Sequence, residues 1–226
     1  MNPIRLSQKA WTCYRDIGID EVFMRTLKKI GFLSVAHSLD MYFHELERFS
    51  APLLTGITTR ELFPAELDHL TLEEGLPSLQ KFQKEFDRGS RLYGALQGNT
   101  LVAMNWFNSR VADLTHIGQP SISLPENTVY SYWMAVAPSF QRKGVGSFLK
   151  QTLLQTIKRE GFHFVIIAVY VTNLSAAQWH QKNGFLKWGR IYYFKAGEKQ
   201  KWWTCLTPYG KRHPNLLEKA LCAPSL

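Results

Sequence analysis

The chain has 226 residues, of which 45% are hydrophobic and 13% are aromatic. This composition can fill a core, so it excludes an intrinsically disordered protein and is typical of one large domain or one domain with an extension. The longest apolar run, residues 164–171, is too short for a membrane-spanning helix and favours a buried strand. Three unpaired cysteines (Cys13, Cys205 and Cys222) and no signal peptide lead us to expect free thiols, no metal site and a cytoplasmic location.

The positive charge lies in the C-terminal part of the chain, although the formal net charge is +9 overall. Residues 141–226 contain 14 Lys and Arg against 3 Asp and Glu, whereas residues 1–140 contain 13 against 15. Such an uneven distribution favours a polyanionic partner: a phosphorylated cofactor, nucleic acid or anionic lipid. A basic surface that serves only solubility explains the composition as well.

The N-terminal 55 residues are predicted to form a helical extension. Residues 1–35 have helical periodicity in two pieces, with Asp20 as a candidate N-cap and Gly31 as a candidate stop. Residues 41–47 have the composition of a short strand, and residues 50–56 are the best candidate linker. We therefore predict an extension over 1–55 and a main domain over 56–226.

The main domain alternates strands and helices. Strands are predicted at 57–60, 91–96, 101–107, 128–136, 164–171, 185–194 and 201–206, and helices at 64–70, 77–86, 145–160 and 173–183. Gly98-Asn99 marks a hairpin turn, and residues 108–127 have the polar composition of a loop. The order βααβββαβαββ predicts an α/β (α+β) fold, a mixed sheet with helices on both faces.

The most informative segment is residues 136–146, Val-Ala-Pro-Ser-Phe-Gln-Arg-Lys-Gly-Val-Gly, between a predicted strand and a predicted helix. Glycines let the backbone approach a ligand closely, and a helix start directs unpaired N–H groups and partial positive charge at an anion. The segment therefore predicts a pyrophosphate pocket. An isolated Gly-x-Gly is a weak signal, since an ordinary helix start uses the same residues.

Two segments about 30 residues apart together resemble the signatures of the GNAT superfamily of acyl-CoA-dependent N-acyltransferases. Residues 141–146 match the phosphate loop Q/R-x-x-G-x-G/A. The second signature is represented by Asn173, Ala176, Ala177, Trp179, His180, Gly184 and Phe185. The likeness covers roughly residues 56–206 and implies a mostly antiparallel sheet, and the N-terminal leader is loosely similar to those of GNAT proteins of bacterial polysaccharide clusters.

The resemblance implies acetyl-CoA, or a longer acyl-CoA, as co-substrate. Backbone N–H groups of residues 142–146 would cradle the pyrophosphate, and strand backbone splayed from its neighbour would pair with the pantetheine amides and polarise the thioester. The implied cofactor contacts are Met134, Val136, Gln141, Arg142, Lys143, Gly144, Val145, Gly146, Asn173 and Ala176.

The motifs identify the catalytic groups less clearly than the cofactor contacts. The family often has a tyrosine acid where this chain has His180, and a histidine with a pKa near 6.5 could protonate the leaving thiolate, although a packing histidine fits the position as well. The family's strand carboxylate is missing, and the nearest acid upstream is Glu126. Asp113 and His116 are further candidates in a loop that would cover the acceptor, but solvated loop residues are the simpler reading. Water or an acceptor of low pKa could make a protein base unnecessary.

Three functions follow from these observations. The first is transfer of an acetyl group from acetyl-CoA to a primary amine of a small metabolite, such as an amino sugar, in a ternary complex. The second uses a long-chain acyl-CoA or an acyl carrier protein, with the basic helix face of Arg25, Lys28 and Lys29 docked on the anionic inner face of the membrane. Such a basic helix face is more often simply solvated. The third is a non-catalytic acyl-CoA-binding module. We expect no nucleic-acid partner, and residues 188–212 are a candidate dimer edge.

Aromatic residues are dense on the predicted strands. Alternate positions of a strand face the core, so core packing is the default interpretation for most of them. The others could form the wall of an acceptor pocket, where aromatic faces suit sugars or acyl chains.

Overall fold

The computed structural model describes residues 26, 28–29, 35–46, 54–114, 121–196, 199–208 and 211. Its strands are β1 (Val35–Glu45), β2 (Thr58–Leu62), β3 (Thr71–Leu72), β4 (Arg91–Gln97), β5 (Thr100–Asn108), β6 (Val111–Ala112), β7 (Ile122–Ser123), β8 (Thr128–Val136), β9 (Phe164–Tyr170), β10 (Leu186–Ala196) and β11 (Lys199–Leu206). The α-helices are α1 (Leu79–Asp87), α2 (Val145–Arg159) and α3 (Leu174–Lys182), and 3-10 turns span Pro64–His69 and Pro138–Phe140.

One sheet organises the described part of the chain. Its strand order is β11-β10-β1-β9-β8-β5-β4-β2, with β3 beside β5. Neighbours are antiparallel except for β8 with β9 and β3 with β5. Apolar residues of α2 pack on one face and Phe82 of α1 packs on the other. The predicted fold, mixed and mostly antiparallel with helices on both faces, is confirmed.

The strand predicted at 41–47 is much longer and lies inside the sheet. β1 has 11 residues and pairs with β10 on one side and β9 on the other. Leu39, Met41 and Phe43 alternate along it and are buried together with β9 and β10 residues. Residues 35–46 are thus part of the same sheet as the main domain, while a boundary near residue 55 stays a prediction.

Other expectations agree closely with the structure. The hairpin at Gly98-Asn99 joins β4 to β5, and the predicted strand 128–136 is β8. Residues 108–127 also contain two short paired strands, β6 and β7, where a loop was predicted. Thr26, Lys28 and Lys29 are helical. The predicted caps Asp20 and Gly31 and the candidate His116 lie outside the described residues, and of the predicted linker 50–56 only residues 54–56 are described. No helix in the described ranges is long and apolar enough to span a membrane.

β8 and β9 separate partway along their length, and this positions the site. They pair only from Thr128↔Phe164 to Tyr130↔Ile166, although β8 continues to Val136 and β9 to Tyr170. On its other side β8 stays paired with β5, with a register shift at Trp133, whose φ is +43°. A bulge of this kind bends a strand and re-aims its side chains. The strands therefore open a cleft at their carboxyl ends.

Candidate active site

A cavity of about 770 Å³ occupies the cleft between β8 and β9. This volume is in the range of small-molecule and cofactor pockets. Its walls come from β8 and β9, with side chains from all three α-helices. The residues that line the cavity include Glu85, Arg88, Asp113, Tyr130, Ser131, Tyr132, Trp133, Met134, Lys150, Tyr170, Asn173, Ala176 and His180.

The Gly-x-Gly turn leads from the end of β8 into α2. Gly144 is the N-cap of α2 with φ +82°, a left-handed conformation that favours glycine, and its carbonyl accepts the first helical hydrogen bond from the Phe148 N–H at 2.9 Å. A Cβ on Gly146 would lie 3.2 Å from Val136 Cγ2, so the absence of a side chain lets α2 start close to β8. The Gln141 side chain donates to the Val136 carbonyl at 3.0 Å and ties the turn to that strand.

This turn suits an anionic ligand. The amides of the first helical turn have no intrahelical partner, and the helix dipole adds partial positive charge there. Arg142 and Lys143 are exposed beside it. The residues present therefore fit the pyrophosphate of an acyl-CoA.

The expected cofactor contacts lie in two places. Met134, Asn173 and Ala176 line the cavity, whereas Val136 and residues 141–146 lie outside its lining. Asn173 is the N-cap of α3, and its Oδ1 accepts from the Ala176 N–H at 3.2 Å. Since that oxygen is engaged in the cap, a hydrogen bond from Asn173 to a ligand would come from its NH2 group.

His180 lines the cavity, where its surroundings disfavour the protonated imidazole. The residue is 9% exposed, and burial, together with the nearby Lys150 charge, lowers its pKa to about 2. A pKa near 6.5 is therefore wrong for this site, and the imidazole is neutral at physiological pH. Its Nδ1 has no hydrogen-bond partner among the described residues. A catalytic role for His180 stays a prediction.

Glu126 lies away from the cavity. It is exposed in the turn that precedes β8 and is not a lining residue. The β8 residues that line the cavity are 130–134, so Glu126 does not contact it, and its role as the base stays a prediction.

Two carboxylates line the cavity: Asp113, which the sequence analysis named, and Glu85 of α1, which it missed. Glu85 is 8% exposed, and its Oε2 accepts from the Tyr132 hydroxyl at 2.6 Å. Arg88 pairs with Glu85 at 3.1 Å and with Asp113 at 3.0 Å. The signal was available in the sequence, since Glu85 lies on the same helix face as Phe82, at a spacing of three.

The second group that the sequence reasoning missed is a buried polar cluster under β8. Lys150 of α2 is 2% exposed, Asn105 of β5 is 0% and Ser131 of β8 is 1%. The Lys150 ammonium donates to Asn105 Oδ1 at 2.9 Å and to Ser131 Oγ at 2.6 Å. Burial lowers the pKa of Lys150 to about 7. A lysine within the apolar face of α2 was the available signal.

Aromatic rings form part of the cavity wall. Tyr130 and Tyr132 stack with ring centroids 5.3 Å apart, and burial raises the pKa of both hydroxyls, with the Glu85 hydrogen bond adding to the effect at Tyr132. Trp133 and Tyr170 are 37% and 38% exposed. The described residues contain no group of three His, Cys, Asp or Glu side chains that could hold a metal ion.

Comparison with solved structures supports the fold. A GCN5-related N-acetyltransferase from Sphaerobacter thermophilus is 11% identical, with TM-score 0.50 over 76% of this chain and 54% of that chain. The glucosamine N-acetyltransferase region of a fungal multi-domain GH3 β-N-acetylglucosaminidase is 15% identical, with TM-score 0.50 over 68% of this chain and 20% of that chain. A Drosophila protein is 16% identical, with TM-score 0.48 over 86% of this chain and 59% of that chain.

The likeness to the Sphaerobacter and fungal structures shows the fold alone. This chain spans less than two thirds of the length of each of the three structures. A comparison with curated protein sequences found no match. The decisive finding is that a family model matches residues 57–185, which is more than half of the chain. Both signature segments lie within the matched residues. The chain belongs to the acetyltransferase (GNAT) family.

Proposed function

We propose that this protein is an N-acetyltransferase that transfers the acetyl group of acetyl-CoA to a primary amine of a small metabolite, in a direct ternary complex. The observation that carries the proposal is the separation of β8 from β9 beside the start of α2. It leaves one edge of β8 with which a pantetheine arm would pair, and the helix amides that would bind a pyrophosphate lie just beyond the end of that strand. The co-substrate supplies the activated acetyl thioester.

Each part of the cofactor has candidate partners in the proposal. Residues 142–146 hold the pyrophosphate through backbone N–H groups, supported by the exposed Arg142 and Lys143 side chains. The backbone near Met134 and Val136 pairs with the pantetheine amides, and the Asn173 NH2 group donates to the same arm. The bulge at Trp133 interrupts the regular register between β8 and β5 next to Met134, and a bulge of this kind re-aims the strand locally.

The acceptor would bind at the end of the cavity formed by α1 and β8. The Glu85 and Asp113 carboxylates offer acceptors for an ammonium group, and both are held in place by Arg88. Tyr132, Trp133 and Tyr170 provide ring faces that suit the apolar face of a sugar. An amino sugar combines these two features, so glucosamine is the first acceptor to test.

The loop assignment is tested with two glycine variants. Gly144→Ala introduces a side chain at φ +82°, where it costs roughly 1–2 kcal/mol and distorts the turn. Gly161→Ala is the matched control, because Gly161 has φ +89° at the other end of α2 with open space around it. We expect both variants to lose similar stability and Gly144→Ala alone to raise the Kd for acetyl-CoA at least tenfold in calorimetry. Equal affinities in the two variants would contradict the assignment.

The donor and the activity are tested by thiol release with glucosamine. Purified protein is supplied with acetyl-CoA, octanoyl-CoA or palmitoyl-CoA, and free CoA is followed with a thiol reagent. The proposal predicts the highest rate with acetyl-CoA. A preference for the longer chains would favour the long-chain or carrier-dependent alternative, and binding without turnover across a panel of primary amines would indicate a non-catalytic module.

A further inference from the structure

The buried cluster of Lys150, Asn105 and Ser131 lies directly against the proposed site. Lys150 and Ser131 both line the cavity, yet each is at most 2% exposed. A buried lysine is rare unless it is paired with an acid, and its hydrogen-bond partners here are neutral, Asn105 Oδ1 and Ser131 Oγ.

The orientation of Asn105 fixes the direction of the hydrogen bonds. Its Nδ2 lies 2.7 Å from the Trp106 carbonyl and 3.0 Å from the Tyr132 carbonyl, and carbonyls only accept. The amide NH2 therefore faces the β8 and β5 backbone, and Oδ1 faces Lys150. Lys150 must donate to that oxygen, which holds its nitrogen in one position.

Ser131 is the link between Lys150 and the cavity. Its Oγ lies 2.6 Å from the Lys150 Nζ, which donates to it, and 2.9 Å from Asn105 Nδ2, whose two hydrogens are shared among Ser131 Oγ and two carbonyls. An ammonium cannot accept, so the Ser131 hydroxyl hydrogen turns away from the protonated lysine, and Ser131 lines the cavity. If Lys150 loses its proton, its lone pair can accept that same hydrogen.

We propose that Lys150 and Ser131 form a proton relay that removes the proton from the bound acceptor ammonium, an inference that rests on the proposed function. The ammonium N–H proton passes to Ser131 Oγ while the Ser131 hydrogen passes to Lys150 Nζ. The acceptor becomes a neutral amine with a lone pair, Lys150 becomes an ammonium, and Ser131 is unchanged. Lys150 later returns its proton to water. No electrons are gained or lost by any partner.

The other titratable groups of the cavity are less suited to this task. The His180 imidazole, with its pKa near 2, is too weak a base, and burial raises the tyrosine pKa values. The Glu85 and Asp113 carboxylates are engaged by Arg88. Lys150, with a pKa of about 7, is matched to a proton transfer at neutral pH.

The groups that face Lys150 are compatible with its lowered pKa. His180 approaches from α3 and His44 from β1, and the pKa of each is lowered by burial, with the Lys150 charge contributing. The Phe185 ring lies 5.9 Å from Nζ. Burial of the amine is the cause of the lysine shift, and Asn105 and Ser131 supply its polar contacts.

The relay is tested with Ser131→Ala, Lys150→Met and the control Lys158→Met, an exposed lysine of the same helix. Acetyl-CoA affinity is measured by calorimetry, and thiol release with glucosamine is followed from pH 5.5 to 9.5. We expect all four proteins, wild type included, to bind acetyl-CoA within threefold of each other. The wild type and Lys158→Met should show kcat rising through an apparent pKa of about 7 to a plateau. Ser131→Ala and Lys150→Met should lose roughly 10²-fold or more in kcat, and the plateau with it.

Each contrary result has a distinct meaning. If Ser131→Ala and Lys150→Met turn over at the wild-type rate and with the wild-type pH profile, the relay is overturned and the proposed function is left intact. Failure of the wild type to bind acetyl-CoA, or to release thiol with any primary amine tested, would overturn the proposed function and the relay together.

Discussion

Replacing Lys150 with methionine should change how stability depends on pH. The pKa of this lysine falls from 10.5 to about 7 on folding because the ammonium is buried. Between these two values the unfolded chain holds a proton that the folded protein lacks, so the wild-type free energy of unfolding rises with pH in this window. The difference in pKa corresponds to about 5 kcal/mol over the whole window, and to about 2 kcal/mol between pH 7 and pH 9.

The assay is urea unfolding of the wild type and Lys150→Met at several pH values from 5.5 to 9. Subtracting the two curves removes groups that both proteins share. The variant also leaves Asn105 Oδ1 without its donor, which costs about 1–3 kcal/mol at every pH, so the test is the slope of the difference rather than its sign at one pH. We expect the difference in the free energy of unfolding between the two proteins to be nearly constant below pH 6. From pH 7 to 9 the wild type should gain about 2 kcal/mol of stability relative to the variant.

A difference that stays constant from pH 7 to 9 would refute the reasoning, because it would mean that Lys150 keeps its proton in the folded protein. Lys158→Met, at an exposed position of the same helix, controls for the loss of one positive charge.

Three other predictions concern single side chains of the site. Tyr132→Phe removes the hydrogen bond to Glu85 and should lower the free energy of unfolding by about 1–2 kcal/mol in urea; an unchanged midpoint would contradict it. The His180 ring should show no NMR titration between pH 5 and 8, since its pKa is about 2; a titration midpoint between pH 6 and 7 would favour the role of His180 as an acid. The same pKa shift predicts that the free energy of unfolding falls by about 1.4 kcal/mol per pH unit as the pH drops below 6.5. Asn173→Ala should lose about 1 kcal/mol through the missing cap on the Ala176 N–H while Asn173→Asp keeps it, and equal stability of the two would argue against the cap.

The sequence predicted the architecture well where local patterns agree with the tertiary environment. The Gly-Asn turn specifies the β4–β5 hairpin, and the change to helical spacing at Val145 specifies the start of α2. β1 was underestimated because its length is set by pairing with β9 and β10, which lie far along the chain and which a local pattern does not report.

The site was less predictable, because its chemistry comes from long-range contacts. Asn105, Ser131 and Lys150 are far apart in sequence, and only the pairing of β5 with β8 and the packing of α2 on them bring the three together. The pKa of His180 likewise depends on burial, which a motif does not report. The signature residues predicted where an acyl-CoA would bind, whereas the buried polar groups next to that region could be found only from the fold.

Thermal unfolding with a donor panel tests the central claim, that the cleft between β8 and β9 binds an acyl-CoA. The panel contains CoA, acetyl-CoA, octanoyl-CoA, palmitoyl-CoA and ATP. A ligand at about 100 times its Kd adds roughly 2.7 kcal/mol to the free energy of unfolding, which gives a clear rise in Tm. We predict stabilisation by acetyl-CoA and little by ATP. An unchanged Tm with every CoA compound would contradict the account.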